Sequence, residues 1–275
     1  MGKIIAICNQ KGGTAKTTSA INLAAYLALA GKKVLLVDLD PQGNATSGVG
    51  VNKHNIQKST YHVLIDEIEI KETIQPTAIK TLFLAPANLD LTGAEVELVS
   101  ALGREYRLKK ALLKEKNNFD FIIIDSPPSL GLLTINSLSA ADSVLIPVQC
   151  EYYALEGVSQ LVNTIKLVQD NLNPQLTIEG VLLTMADFRT NLTREVIQEV
   201  RAFFKNKVYQ AVIPRSIRLS EAPSFGKPVA LYDQDSIGAQ KYEELAAEIL
   251  GVDATQIRLD NSLMKEIKEE TKTGE

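Results

Sequence analysis

Short apolar runs alternate with stretches of helical periodicity along nearly the whole chain, and that alternation leaves few folds open. Lys3 to Cys8, Lys33 to Asp38, Thr81 to Ala85, Phe119 to Ile124, Ser143 to Val148, Leu176 to Thr184 and Val208 to Ile213 are apolar without the in-out alternation of a half-exposed strand. Parallel strands covered on both faces read this way. Between the first two runs, Thr17 to Ala30 carries Ala20, Leu23, Ala24, Leu27 and Ala28 at helical spacing and stops at Gly31. Leu102 to Lys114, Leu130 to Ser139, Leu155 to Asn171, Leu192 to Phe204 and Gln234 to Leu250 read as further helices. The pattern predicts an α/β fold, a doubly wound, mostly parallel sheet flanked by helices. One domain is expected over residues 1–255, followed by a polar tail over 256–275.

Composition narrows the function classes. The chain has 275 residues, and 29 Lys and Arg against 33 Asp and Glu leave a net charge of −4, which argues against a nucleic-acid coat or a polybasic membrane binder. Cys8 and Cys150 show no Cys-x-x-Cys spacing, so neither a zinc knuckle nor a disulfide framework is expected. The chain enters its first apolar run directly after Met1 and Gly2, without leader-like features, and no apolar stretch approaches the ~20 residues of a membrane span. A cytoplasmic location is expected.

The most informative segment joins the first strand to the first helix: Asn9-Gln10-Lys11-Gly12-Gly13-Thr14-Ala15-Lys16-Thr17-Thr18. Glycines let the backbone turn tightly around an anion, successive N–H groups point inward, and the helix that follows begins with its positive end there. Phosphate binding accounts for all three properties. Lys16 would reach the β- and γ-phosphates, and the Thr17 hydroxyl would sit on Mg²⁺. The strict pattern G-x-x-x-x-G-K-[ST] is not met, because Gln10 and Ala15 stand at its two glycine positions. A methyl group at Ala15 costs about 1 kcal/mol if the backbone there has positive φ.

Two carboxylate clusters supply independent markers. The run Phe121 to Ile124 ends at Asp125, followed by Ser126-Pro127-Pro128. A carboxylate at the C-terminal end of a parallel strand lies on the ligand edge of the sheet, where it can hold a water of the Mg²⁺ shell. Alone, Asp125 reads as an ordinary strand end; with Lys16 and Thr17 upstream it reads as part of a site. After the second strand comes Asp38-Leu39-Asp40-Pro41-Gln42-Gly43-Asn44. Carboxylates two apart on extended chain face the same way, so Asp38 and Asp40 are both expected near the metal and the γ-phosphate. Asp40, further out in the loop, is the better group to orient an attacking water, and it is also a candidate to hold a water of the metal shell.

With these segments placed, the sequence resembles the ParA/Soj chromosome- and plasmid-partition ATPases, within the deviant Walker A family that also contains MinD. The resemblance rests on Lys11-Gly12-Gly13 with Lys16-Thr17-Thr18, on Asp38 to Asn44, on Asp125-Ser126-Pro127-Pro128, and on Ile213-Pro214-Arg215 leading into Leu219-Ser220-Glu221-Ala222-Pro223. It implies a P-loop NTPase-like fold and an ATP- and Mg²⁺-dependent homodimer, in which Lys16 holds phosphate in its own subunit while Lys11 reaches the nucleotide of the partner. Gly12, Gly13, Thr14, Ala15, Thr17 and Thr18 would complete the phosphate loop. Met185 and Pro214 would lie near the adenine, and Asp38, Pro41, Gln42 and Asn44 would belong to the first switch segment. A ParB-like centromere-binding protein is the implied partner, and hydrolysis is expected to be slow without that partner and DNA.

Non-specific duplex DNA is expected as a second partner, from charge segregation. Residues 189–227 hold eight basic and three acidic side chains, so this segment is positive in a chain that is otherwise acidic. Arg189 and Arg218 are the preferred contacts, with Arg215 and Lys227 beside them, and nucleoid association is expected to follow. No helix-turn-helix or zinc finger precedes them, so base-specific readout is not expected. The alternative is a MinD-like membrane-associated ATPase. Its C-terminal amphipathic helix would have to come from Ile257, Leu259, Leu263, Met264 and Ile267, too few large apolar groups for stable membrane association. A reductase of the nitrogenase iron-protein type would need cysteines bridging two subunits, which Cys8 and Cys150 do not supply.

Overall fold

The structure, a computed structural model, describes residues 2–152 and 154–259. Eight strands form one sheet: β1 (Lys3–Ile7), β2 (Val34–Asp38), β3 (Gln75–Pro76), β4 (Leu82–Ala85), β5 (Phe121–Asp125), β6 (Ser143–Gln149), β7 (Thr177–Ala186) and β8 (Val208–Pro214). Their order is β3-β4-β2-β5-β1-β6-β7-β8. All neighbours are parallel except β3, a two-residue edge strand that runs antiparallel to β4. The doubly wound, mostly parallel sheet expected from the apolar runs is therefore present.

Twelve helices connect or follow the strands within the described residues: α1 (Lys16–Leu29), α2 (Asn44–Gly48), α3 (Thr60–Ile65), α4 (Leu91–Glu97), α5 (Arg107–Glu115), α6 (Leu132–Ala140), α7 (Ala154–Asn171), α8 (Asn191–Phe204), α9 (Ile217–Glu221), α10 (Val229–Tyr232), α11 (Ile237–Leu250) and α12 (Ala254–Leu259). The strands send alternate side chains to opposite faces. Ile4, Ala6, Leu35 and Val37 pack with α3 to α8. Ile5, Ile7, Val34 and Leu36 pack with α1, α2 and α9 to α12. Burial on both faces is why the strands lack alternation in sequence.

Several boundaries differ from the expectation. Helix α5 begins at Arg107 rather than Leu102, because Gly103 is left-handed and Leu102 stands in solvent. Helix α11 begins at Ile237 rather than Gln234, where Ser236 caps it by accepting from the Ala239 N–H. The short α2, α3, α4, α9 and α10 carry too few turns for a periodic signal. Helix α12 carries the chain past the expected domain limit at 255, with Ile257 buried in the core, and most of the expected tail lies outside the described residues.

Candidate functional site

The strand registers bring the chemistry together. Ile7 of β1 pairs with Asp125 of β5, and Asp125 pairs with Asp38 of β2, so three central strands end at one level. Chain order reverses about these strands, which opens a crevice at their C-terminal edge. The phosphate-type loop 9–15, the loop after Asp38 and the loop after Asp125 all rise from that edge.

The loop between β1 and α1 is anchored at both ends. Asn9 donates its side-chain amide to Pro147 O at 2.6 Å, and its Oδ1 accepts from the Lys11 N–H at 3.0 Å. Thr184 of β7 donates to Thr14 O at 3.1 Å. Gly13 has φ of 74°, and Ala15, which caps α1, has φ 63° and ψ 31°. Ala15 thus holds the left-handed conformation a glycine would adopt without strain. A Cβ placed on Gly12 or Gly13 meets no atom within 4 Å, so the backbone there faces open space. That is the cradle an anion approaching main-chain N–H groups requires.

Lys16 is 6% exposed, and its Nζ donates to Lys11 O at 3.1 Å across the loop. Burial lowers its pKa, with Asp125 and Asp40 acting in the opposite direction. Lys11 differs: its side chain is exposed, and its carbonyl is the group that holds Lys16.

Asp125 is fully buried, and neither carboxylate oxygen has a hydrogen-bond partner. Its pKa is raised well above the ordinary value, first by desolvation and next by the neighbouring Asp38 carboxylate. The nearby Thr17 hydroxyl, and after it the Lys16 ammonium, oppose the rise. Buried polar atoms without partners are rare and costly, so this carboxylate fits a cation, or the hydration shell of one, beside Thr17.

Asp38 behaves differently from the expectation that it approaches a metal. Its Oδ1 accepts from the Asp40 N–H at 3.1 Å, and its Oδ2 accepts from the Thr46 N–H at 2.8 Å and the Thr46 hydroxyl at 2.7 Å. Asp38 thus spends both oxygens on folding the loop, while Asp40 lies within electrostatic reach of Lys16 and Asp125. Desolvation is the largest influence on Asp38 and pushes its pKa up to about 6, against the bonds from Thr46 and Asp40. Asp40 is 8% exposed, and its Oδ1 accepts from the Gln42 N–H at 2.9 Å. Pro41 is half-buried, while Gln42 and Asn44 are exposed on the same turn. Gln42 O accepts from Lys53 Nζ at 2.8 Å.

Beside the loop lies a cleft of about 180 Å³ lined by Ala15, Thr18, Met185, Pro214, Leu219 and Tyr242 among others. Met185 has φ of 52°, a strained conformation for a long side chain, and it sits at the cleft wall. Met185 and Pro214, expected together, do share this cleft. Leu219 opens the segment that follows Pro214, whereas Tyr242 carries no local signal in sequence and comes from the closing helix. Tyr242 is fixed to α1 by a 3.0 Å bond between its hydroxyl and that of Ser19.

Cys8 and Cys150 are both free and buried, and burial pushes each thiol up to about 12. Cys8 Sγ lies 3.2 Å from Ser126 Oγ, which makes it part of the packing beneath the loop.

Only part of the basic segment occupies the same edge: Lys205 and Lys207 precede β8 at the opposite end of the sheet, where Lys207 Nζ donates to Ile178 O at 3.0 Å. Arg189 follows β7 and Arg215 follows β8, where Ala186 pairs with Pro214 and the Arg215 N–H donates to Ala186 O at 3.1 Å. The three arginines expected to contact DNA, Arg189, Arg215 and Arg218, all meet carboxylates. Arg189 chelates Asp187 at 2.6 and 2.8 Å, Arg215 reaches Glu151 at 3.0 Å, and Arg218 lies 3.1 Å from both Glu221 and Asp233. Asp187, Glu151 and Asp233 fall outside the window 189–227, so a charge count along the sequence misses them. Arg189 holds Asp187 down to about 2. Lys227 is exposed. Among the described residues, no helix is long and apolar enough to cross a membrane.

A protein-family profile described as an AAA domain matches residues 2–178. The sporulation initiation inhibitor protein Soj of Bacillus subtilis is 60% identical over 249 residues, covering 90% of this chain and 98% of that protein. The chromosome partitioning protein ParA of Myxococcus xanthus is 56% identical, covering 91% and 88%. Among solved structures, cobyrinic acid a,c-diamide synthase from Mycobacterium smegmatis with bound ADP and magnesium has a TM-score of 0.80 at 41% identity, covering 91% of this chain and 94% of that one.

Proposed function

Because the chain belongs to the Soj/ParA family of chromosome-partitioning ATPases, we propose that it binds Mg²⁺ and ATP in this crevice and hydrolyses the nucleotide to ADP and phosphate, and that its ATP form dimerises and holds duplex DNA without base specificity. One observation carries the reading: a fully buried carboxylate, Asp125, with two unpartnered oxygens, beneath a left-handed anion loop that contains a buried lysine. Identity of 60% weighs more for activity than a shared sheet, which serves many chemistries.

In this reading Thr17 and a water held by Asp125 would bind the cation, which offsets phosphate charge when present. Lys16, desolvated and already aimed across the loop, moves from Lys11 O to phosphate oxygens. Asp40 orients the attacking water; in phosphoryl transfer, positioning and charge stabilisation suffice. Met185 and Pro214 hold the base in the cleft beside Ala15. Lys11 remains exposed, and its ammonium serves the nucleotide of a second copy, so hydrolysis is complete only in the paired state.

Arg189, Arg215, Arg218 and Lys227 form the DNA face. The carboxylate pairs of the three arginines lie at the surface, and surface ion pairs of this kind contribute at most about 1 kcal/mol, so DNA phosphates can replace them. Pairing two such faces raises affinity through effective concentration, which makes DNA residence depend on nucleotide. A ParB-like DNA-bound protein is the partner expected to accelerate turnover, and the place of action is the nucleoid.

Calorimetry with and without Mg²⁺ tests the site: wild-type protein should bind ATP only with the cation, and Lys16→Ala should lose binding. Tight ATP binding by Lys16→Ala would refute the loop assignment. Light scattering after size exclusion, with ATP, ADP or no nucleotide and then with arbitrary duplex DNA, tests pairing and DNA retention together.

A further inference from the structure

The loop that carries Asp40 and the segment that carries Arg218 and Lys227 touch each other away from the nucleotide crevice. Asp38 ties Asp40 to α2 through one carboxylate, since it accepts from the Asp40 N–H and from both donors of Thr46. Helix α2 then packs on the turn 222–225. At the contact Gly50 meets Gly226. A Cβ on Gly226 would lie 2.9 Å from Gly50 Cα, and a Cβ on Gly50 would lie 3.0 Å from Gly226 O. Both residues have positive φ, 91° and 62°. The turn itself is braced, with the Gly226 N–H on Pro223 O at 3.0 Å and the Lys227 N–H on Ala222 O at 3.2 Å.

A contact between side chains absorbs small displacements by changing rotamers, whereas two backbones in contact have no such slack. Helix α2 also abuts α1, the helix that begins at Lys16: a Cβ on Gly48 would collide with Ile21 and lie 3.7 Å from Pro223 Cβ in the turn. Movement of the Asp40 loop that shifts α2 is therefore passed to the turn through a contact with no slack. Arg218 sits on α9 directly before that turn, and Lys227 directly after it.

We infer that the Gly50–Gly226 contact is the joint through which the Asp40 loop sets the position of Arg218 and Lys227, so that nucleotide state reaches the DNA face within one subunit; this rests on the DNA reading proposed above.

Hydrogen exchange of the full chain, with Mg²⁺ and either ADP or a non-hydrolysable ATP analogue, tests the joint without any variant. Exchange in 44–51 and in 222–227 should respond to the γ-phosphate together and in the same direction; a response confined to one segment, or to neither, overturns the joint. Gly226→Ala places a methyl group against Gly50. It should keep ATP binding and ATP-dependent pairing while the ratio of DNA affinities, ATP over ADP, falls about tenfold. A folded Gly226→Ala protein with the wild-type ratio overturns the joint. If that variant fails to fold, the exchange measurement on wild-type protein decides on its own. Wild-type protein whose DNA affinity ignores nucleotide overturns instead the DNA reading on which the joint's output depends.

Discussion

Asp38 and Asp125 end adjacent strands as a paired register position, both fully buried, and their carboxylates have opposite surroundings. Asp38 accepts three hydrogen bonds from Asp40 and Thr46. Asp125 accepts none. After desolvation, the Asp38 carboxylate is the strongest influence raising the Asp125 pKa. One carboxylate therefore builds the loop, and the other is left unbonded, its ionised form disfavoured until an incoming cation compensates it.

Asp125→Asn follows directly. For a carboxyl whose folded pKa is raised, the folded chain keeps a proton that the unfolded chain has lost, so stability present at low pH declines as pH rises through the shifted values. Asp38, at about 6, places part of that decline between about pH 4 and 6, and Asp125 extends it in the same direction. Removing the unpaired charge should raise the stability of nucleotide-free protein at pH 8 by about 1 kcal/mol and change little at pH 5. The same variant should lose Mg²⁺-dependent ATP binding. Thermal melts at the two pH values and a Mg²⁺ titration read both effects, and equal destabilisation at both pH values would contradict the account.

Ala15→Gly should stabilise the chain. The left-handed alanine costs about 1–2 kcal/mol, and the added freedom of glycine in the unfolded chain returns part of that. The net gain is about 0.5–1 kcal/mol, or about 2 °C in Tm for a chain of this size. Differential scanning calorimetry of the free protein measures it; a lower Tm would mean that the methyl contact in the cleft outweighs the strain.

The strain at Ala15 was legible because a motif position fixes backbone conformation locally. The parallel sheet was legible for a similar reason, since uninterrupted apolar runs are a local signal for two-sided burial. What stayed hidden depends on contacts between distant residues. The full occupancy of Asp38 depends on Thr46, eight positions on, folding back over it. The acidic partners of Arg189, Arg215 and Arg218, namely Asp187, Glu151 and Asp233, come from three separate loops, so a window of sequence overstated the local positive charge. Tyr242 reaches the cleft from the closing helix, a placement that only the packed α1–α11 pair creates.

Asp40→Ala separates binding from turnover. Its main-chain bond to Asp38 does not involve the deleted carboxylate, so the loop keeps its principal tie and loses only the side-chain bond from Gln42. ATP affinity should stay within about threefold of wild type, pairing with ATP should persist, and stimulated hydrolysis should fall at least about 100-fold. Phosphate release under DNA and a ParB-like activator checks this. Near-normal turnover would remove Asp40 from the water-orienting role.

The proposed DNA face yields paired predictions of opposite sign. Arg218 is about half exposed between Glu221 and Asp233, so its charge is only partly available to a polyanion. Arg218→Glu should weaken binding to arbitrary duplex DNA about tenfold or more near 100 mM salt, and the slope of log affinity against log salt should become shallower by about 1 for each phosphate that a subunit no longer neutralises. Glu221→Gln should act the other way: it removes one competing carboxylate, leaves Arg218 paired with Asp233 alone, and strengthens DNA binding by up to about fivefold, the value of an exposed ion pair. Neither change touches the phosphate loop, so ATP-dependent pairing should be unaffected in both. Gel-shift titrations at several salt concentrations, with light scattering on the same samples, discriminate the outcomes. If both substitutions leave the salt slope at its wild-type value, Arg218 does not face the phosphate backbone, and the interface must lie with Arg189, Arg215 and Lys227 alone.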